Sequence, residues 1–403
     1  MNNKKLLFIL FVLAVTQVIG WGTISLPAVI GDQFARDIGI SLPLAFAGST
    51  TMLVVTGFTA LPVGRAFVTY GARLVMAAGS VVGAIAFLVL AAAHGPLLYF
   101  LAWVIIGISG AATLSTASYV YLNEIAGAAA TRPIGGMLLV TGLSSSIFWP
   151  ITAALSGSVG WRATMLIYAA LMIFVCFPLY VFGLPARNAP VQKSAAAAAP
   201  AHQAAPVHRA VFPLLLSAIT INGFVSWGMS STIIQLLRAM GLDNAYAIQL
   251  GSLLGILQVT ARGLDFFGGR RDGLTTGLIA AFVLPVSFLV LLIGGAANFA
   301  VIGFLALYGM ANGIMTVARA TMPLVFYDQA DYARTVSRIA LPQNLASAAA
   351  PPILVSVLIQ FGGDAVLTIA LGCTLASLAL LGTLTVIHRR TMSLRQLAAE
   401  PRT

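Results

Sequence analysis

The sequence predicts an all-α integral membrane protein, with twelve transmembrane helices in two pseudo-symmetric six-helix bundles. Three observations predict it. Of the 403 residues, 60% are hydrophobic and only 8% are charged, against about 25% charged in a soluble domain. The apolar residues fall into runs of about 20 or more, each long enough to cross ~30 Å of hydrocarbon. One Ala/Pro-rich break, residues 185–210, divides the runs six and six.

Residues 1–5 form a short basic head carrying Lys4 and Lys5. The first run, Leu6–Val29, is too long for a signal-peptide core and ends at no small-residue cleavage site, so it reads as a retained helix. Leu42–Val63, Leu74–Ala93, Leu97–Leu122, Ile134–Val159 and Ala163–Leu184 complete an N-terminal bundle over 1–184. The break PARNAPVQKSAAAAAPAHQAAPVHRA lacks large apolar residues and brackets its alanines with prolines, the composition of a mobile linker. The second set is Val211–Leu237, Ala245–Phe267, Leu274–Ala297, Phe299–Phe326, Ile339–Phe361 and Ala365–Ile387, a C-terminal bundle over 211–390 with a tail over 391–403. Cys176 and Cys373 lie inside apolar runs and His202 and His208 in the linker, with no disulfide or metal-ligand spacing.

The net charge of +11 suits nucleic acid in a soluble protein; here loop topology explains it. With the N-terminus inside, 17 of the 21 Lys and Arg fall on one side, Arg36, Arg162 and Arg238 on the other, and Arg262 within a run. The positive-inside rule then places both termini and the linker in the cytoplasm, in a bacterial-type inner membrane. The halves echo each other at an offset of 206 residues: Trp21-Gly22 with Trp227-Gly228, and Arg132 with Arg338. Gly110 and Gly313 correspond more loosely. Duplicated bundles with a site between them near the midplane are the architecture of alternating-access carriers.

The candidate site residues are the polar ones inside apolar runs. Gln258, Arg262 and Asp265 share one face of the eighth helix. An arginine inside a membrane helix costs about 2.5–3.5 kcal/mol on insertion scales, so it faces protein or a watery cavity. Two readings stay open: Arg262 meets an anionic solute, or it pairs with Asp265 as a structural latch. Asp265 is the one carboxylate well within a run and the sole proton-site candidate. Gln17 and Trp21 in the first helix, Asn222 and Ser226 in the seventh, and Asn312 in the tenth are candidates to line a cavity, with Arg319 two turns beyond Asn312 as a gating residue. Gly and Pro weaken the first helix near Trp21, and the seventh repeats the glycine theme. In the fifth, Ser144, Ser145 and Ser146 before Phe148, Trp149 and Pro150 suggest a bend beside a site, unless the serines bond back to their own helix. Trp149 either stacks on a solute or fills the bundle. No phosphate-binding G-x-x-x-x-G-K-[ST] loop, metal motif or nucleophile elbow occurs, which argues against an ATP-driven pump and against an enzyme.

Twelve runs in two sixes, a central linker and the loop Gly64-Arg65-Ala66-Phe67-Val68-Thr69-Tyr70-Gly71-Ala72-Arg73 resemble the major facilitator superfamily, over the whole chain. Gly64, Gly71 and Arg73 fit its loop motif, which implies gating roles for them; Val68 and Thr69 replace the usual acid and base. Gln258 to Arg262 is similar to the monocarboxylate-carrier pattern of an acid, three residues and a carboxylate-binding arginine. Gln258 replaces the acid and Ala28 the first-helix lysine, so the likeness implies anion binding without those proton sites. Ser145 to Pro150, with Asn312 and Arg319, looks like a bacterial branch that includes arsenite-efflux carriers. The drug/proton antiporters' fifth-helix motif is missing, and Trp103 stands where their fourth-helix arginine aligns.

The expectation is a secondary carrier, monomeric and without cofactor or metal, that moves a small polar or anionic solute through the lipid bilayer. Arg262, Gln258, Gln17, Trp149, Asn222 and Asn312 are the expected solute contacts; Asp265, Arg319, Gly64, Gly71 and Arg73 are the expected gate. A coupling proton or counter-solute stays open. The alternatives are efflux of a toxic small solute such as arsenite or a drug-like compound, and a transport-silent membrane receptor or scaffold.

Overall fold

The computed structural model describes residues 3–126, 131–185, 208–267, 272–327 and 329–399. Among them there are helices and no strands, and twelve helical stretches are long and apolar enough to cross a membrane. The chain is therefore a multi-pass membrane protein. Most of the expected linker lies outside the described residues.

The first half comprises α1 (Asn3–Ile24), α2 (Leu26–Ile38), α3 (Leu42–Tyr70), α4 (Ala72–Ala91), α5 (Pro96–Thr113), α6 (Ser115–Ala126), α7 (Thr131–Thr141), α8 (Ser144–Ser158) and α9 (Gly160–Leu171). The second comprises α10 (Val211–Ala239), α11 (Asn244–Phe267), α12 (Gly273–Gly294), α13 (Asn298–Thr321), α14 (Pro323–Phe326), α15 (Gln329–Phe361) and α16 (Gly363–Ala399). The last helix runs on through residues expected to be a tail.

Breaks mark where the ladder of backbone hydrogen bonds fails. The first span breaks at Ser25, because Pro27 in the first turn of α2 has no N–H to donate. Its counterpart α10 is continuous, since Ile233 stands where the repeat would place a proline. The fifth span breaks at Gly142-Leu143, between α7 and α8. The sixth passes into π-helical turns at Met172–Cys176 and Leu179–Gly183, on either side of Pro178. Asp272 caps α12: its Oδ1 accepts the Thr275 N–H at 2.7 Å and its Oδ2 the Thr275 hydroxyl at 2.9 Å.

Each half has its own apolar core. Trp103, Tyr99 and Tyr168 anchor the first, and Phe288, Phe304 and Tyr308 the second. Ala28 and Trp149, from the first half, pack into the second half's core.

The halves meet through α3 on α15, α8 on α11 and α2 on α10. The polar contacts that join them include three at one end. Thr50 Oγ1 donates to the Ala348 carbonyl, Ser146 Oγ donates to the Ser252 carbonyl, and Arg238 pairs with Asp32. All three lie in the portion of the helices away from the N-terminus, here called the far side; the opposite end is the terminal side. Gly255 sits against α8 so closely that a Cβ there would lie 2.5 Å from the Gly142 carbonyl. The far side is therefore shut.

The repeat is visible in this seam. Asp32 and Arg238 are 206 residues apart, the same offset as Trp21 and Trp227, whose rings lie 6.2 Å apart. Equivalent positions that touch each other lie on the axis relating the halves. Shifting Thr50 and Ala348 by the same offset gives Ile256 and Gly142, where α11 approaches α8.

Candidate functional site

Between the halves lies a cavity of about 330 Å³. Trp21, Ser25 and Ala28 from the first span, Ser49 and Met52 from α3, and Ser115 from α6 line one wall. Thr141, Gly142, Ser144, Ser145 and Trp149 come from the fifth span. The second half contributes Ser226, Trp227, Ser230 and Ser231 of α10, Gln258 and Arg262 of α11, and Asn312, Thr316 and Arg319 of α13.

Helical spacing builds the polar face. Gln258 and Arg262 are one turn apart, and Arg262 Nη2 donates to Gln258 Oε1 at 3.3 Å. Asn312, Thr316 and Arg319 share a stripe on α13, where Arg319 Nη2 donates to Thr316 Oγ1 at 3.3 Å. Both helices run from the far side to the terminal side. Side chains on a helix tilt toward its N-terminus, so both guanidiniums lean back toward the membrane middle. Ser226 Oγ donates to Asn312 Oδ1 at 2.7 Å, fixing α10 to α13 in the buried wall. Trp21 Nε1 donates to Ser115 Oγ at 2.9 Å and holds its ring against Trp227.

The break at Gly142 is what admits Arg262. A Cβ on Gly142 would lie 3.1 Å from Arg262 Nη1 and 2.7 Å from Val259 Cγ2. The bend expected in the fifth span is thus beside the cavity, and its serines divide the work. Ser144 bonds back to the Thr141 carbonyl at 2.9 Å, whereas Ser146 crosses to the other half.

The electrostatic character is one-sided. Arg262 and Arg319 both line the cavity and repel each other, and no carboxylate among the described residues lines it. The remaining polar lining is hydroxyl and amide. Such a cavity can hold an anion by charge and orient it by hydrogen bonds; it disfavours a cation. Among the described residues, no three His, Cys, Asp or Glu side chains come together as a metal site.

Four expected contacts, Arg262, Gln258, Trp149 and Asn312, lie on this wall, and so does Arg319, expected as a gate. Gln17 and Asn222 do not. Gln17 is fully buried and donates to the Thr113 carbonyl at 2.6 Å, tying α1 to α5, and Asn222 is buried within α10's packing face. Asp265 is partly buried and off the lining, and ion pairs form at Arg162–Asp37 and at Arg238–Asp32. Gly64 has open space around it. Gly71 turns the chain between α3 and α4 at φ 80°, a conformation that favours glycine. Beside it, Glu124 accepts the Ala72 N–H at 3.2 Å and Arg73 donates to the Leu184 carbonyl at 3.3 Å.

Sequence reasoning missed most of the hydroxyl lining. Ser230 lies one turn beyond Ser226, already a candidate, so spacing could have given it. Ser49 stands in Gly48-Ser49-Thr50-Thr51 and Ser115 in Thr113-Leu114-Ser115-Thr116, and nothing local sets either apart from its hydroxyl neighbours.

The family model of the Major Facilitator Superfamily matches residues 7–264. No curated protein matches the chain. Among solved structures, a mutant of the nucleoside transporter NupG aligns at TM-score 0.72 and 16% identity, covering 95% of this chain and 99% of that one. The human organic anion transporter MFSD10 aligns at 0.65 and 17% identity, covering 94% and 100%. A bacterial homologue of the human lysosomal transporter Spinster, inward-facing and occupied, aligns at 0.65 and 16% identity, covering 96% of each. At these identities the structures testify to the fold, and the family match covers more than half the chain. Two six-helix halves, a central cavity and that match make the chain a member of the Major Facilitator Superfamily, a secondary transporter.

Proposed function

We propose that the carrier moves a small anionic solute, carboxylate-like in its chemistry, by rocking its two halves about the central cavity. One observation carries this reading: two guanidiniums face a cavity whose described lining includes no carboxylate. An anion brings negative charge into that space, and Arg262 offers the planar fork that suits a carboxylate. Gln258, Asn312 and Trp149 orient the rest of the solute. The likeness of Gln258 to Arg262 to the monocarboxylate-carrier pattern supports the same contact. Gln17 and Asn222 act from behind the wall, and Gly71 and Arg73 organise the terminal-side end of the first half. The excess of Lys and Arg on that side supports cytoplasmic termini in an inner membrane.

The test is uptake into proteoliposomes of short carboxylates, neutral arsenite and a lipophilic cation, by wild type, Arg262→Ala and Arg262→Lys. Truncating one partner of a desolvated charge pair costs about 2–5 kcal/mol, so carboxylate kcat/KM should fall roughly 30-fold or more in both variants. Carriage of arsenite or the cation, with Arg262→Lys keeping most activity, would refute the anion contact and favour the efflux reading.

A further inference from the structure

Besides charge, the cavity carries flat apolar surface. The chain has five tryptophans, and two of them, Trp103 and Trp161, are buried in the core of the first half. The other three, Trp21, Trp149 and Trp227, line the cavity. Trp21 and Trp227 are only partly buried, so part of each indole is left open to that space. Their rings lie 6.2 Å apart with planes inclined at 44°, and the Trp21–Ser115 hydrogen bond holds one of them in place. The lining on the first span begins at Trp21 and ends at Ala28, and that on α10 runs from Ser226 and Trp227 to Ser231. Both helices start on the terminal side, so the indole pair forms the terminal-side floor. Trp149 closes the opposite end: it is 4% exposed, and a Cβ on Gly251, two turns nearer the far side than Gln258, would lie 3.0 Å from its Cζ3. The two arginines come from α11 and α13, and neither helix contributes an indole to the lining. A short aliphatic acid would leave the indole faces wet. A flat ring covers them and gains the offset and edge contacts of aromatic pairs. At about 330 Å³ the cavity lies at the small end of the ~300–1,000 Å³ range of ligand pockets, which suits a single ring bearing a carboxylate.

We infer that the cargo is an aromatic carboxylate, with its ring on the Trp21–Trp227 pair and its carboxylate on Arg262. The inference rests on the anion reading above and deepens it. Trp21 and Trp227 select the ring and Arg262 selects the charge. Because separate helices carry the two selections, each can fail without the other.

The test is calorimetric binding to the full chain in nanodiscs of benzoate, cyclohexanecarboxylate and benzyl alcohol. Cyclohexanecarboxylate keeps the charge and the ring size of benzoate without the flat face. Wild type should bind benzoate about tenfold or more tighter than cyclohexanecarboxylate. Trp227→Leu should bring that ratio close to one, and Trp227→Phe should keep most of it. A tryptophan that only filled space would weaken both acids alike and leave the ratio unchanged. Thermal unfolding checks that the variants fold, and the wild-type ratio judges the ring even if Trp227→Leu does not. Labelled benzoate should also enter proteoliposomes, which separates a cargo from a bound inhibitor. Equal binding of the two acids by wild type, an unchanged ratio in Trp227→Leu, or no benzoate binding or uptake would overturn the inference. Benzyl alcohol binding as tightly as benzoate would instead sink the anion reading, with the ratio of the two acids left to judge the ring by itself.

Discussion

Removing the ion pair between Asp32 and Arg238 should loosen the far-side seam by a small, calculable amount. The pair joins the first half to the second, and Arg238 Nη1 also donates to Gln235 Oε1 at 3.1 Å. The Arg238 and Asp32 side chains are 36% and 29% exposed, so water screens the attraction. Pairs exposed to this degree contribute about 0.2–1 kcal/mol. Asp32→Asn or Arg238→Gln should therefore shift the ratio of far-side-open to far-side-shut protein by roughly 1.4- to 5-fold. The shift should shrink in high salt. Because the two positions are related by the repeat, the exchanged pair, Asp32→Arg with Arg238→Asp, should restore most of the wild-type ratio. The assay is far-side maleimide labelling of Ser49→Cys in the background without the native cysteines, at low and high salt. A shift well above tenfold, or an exchanged pair no better than the single variants, would refute the reasoning.

Gly255→Ala places a methyl 2.3 Å from Ser146 Oγ and 2.5 Å from the Gly142 carbonyl. Such overpacking costs about 1–3 kcal/mol in the far-side-shut form, so labelling of Ser49→Cys should rise roughly fivefold or more. Gly157→Ala, with open space around it, should change nothing. Gln17→Leu loses the bond to the Thr113 carbonyl and should lower stability by about 1–3 kcal/mol with KM unchanged; a tenfold rise in KM at unchanged Tm would instead make Gln17 a solute contact. Burial opposes ionisation of Asp272, but the Thr275 amide and hydroxyl and the Leu274 amide outweigh it and hold the carboxyl below its usual range. A depressed folded-state value means that the cap stabilises above about pH 4 and is lost as pH falls through the lower folded value. Asp272→Ala should thus cost about 1 kcal/mol at pH 7, and thermal unfolding should show that gap closing in acid.

Particular residues show what was legible in the sequence. Arg262 stood out because a charge in hydrocarbon is expensive and so carries information wherever it occurs. Gln258, Asn312 and Arg319 followed from helical spacing, which decides the shared face before any packing is known. The 206-residue echo was readable in Trp21 and Trp227, and in Arg132 and Arg338. Gln17 and Asn222, expected as contacts because they are polar within apolar runs, lie off the cavity lining. Periodicity says which side chains share a face, and it does not say whether that face meets the cavity or a neighbouring helix. In Gln17 the Thr113 carbonyl, 96 residues away, settles it.

Twelve membrane crossings in two related halves follow from the amino-acid order alone, because hydrocarbon leaves a polar backbone few structures and charge so few places to go. Only the tertiary structure decided which polar residues share a space. It set Arg262 and Arg319 on one cavity, with Ser49 and Ser115 on the wall from the other half, and Asp32 against Arg238 across the seam, because such placements depend on how separate helices pack and on no local spacing.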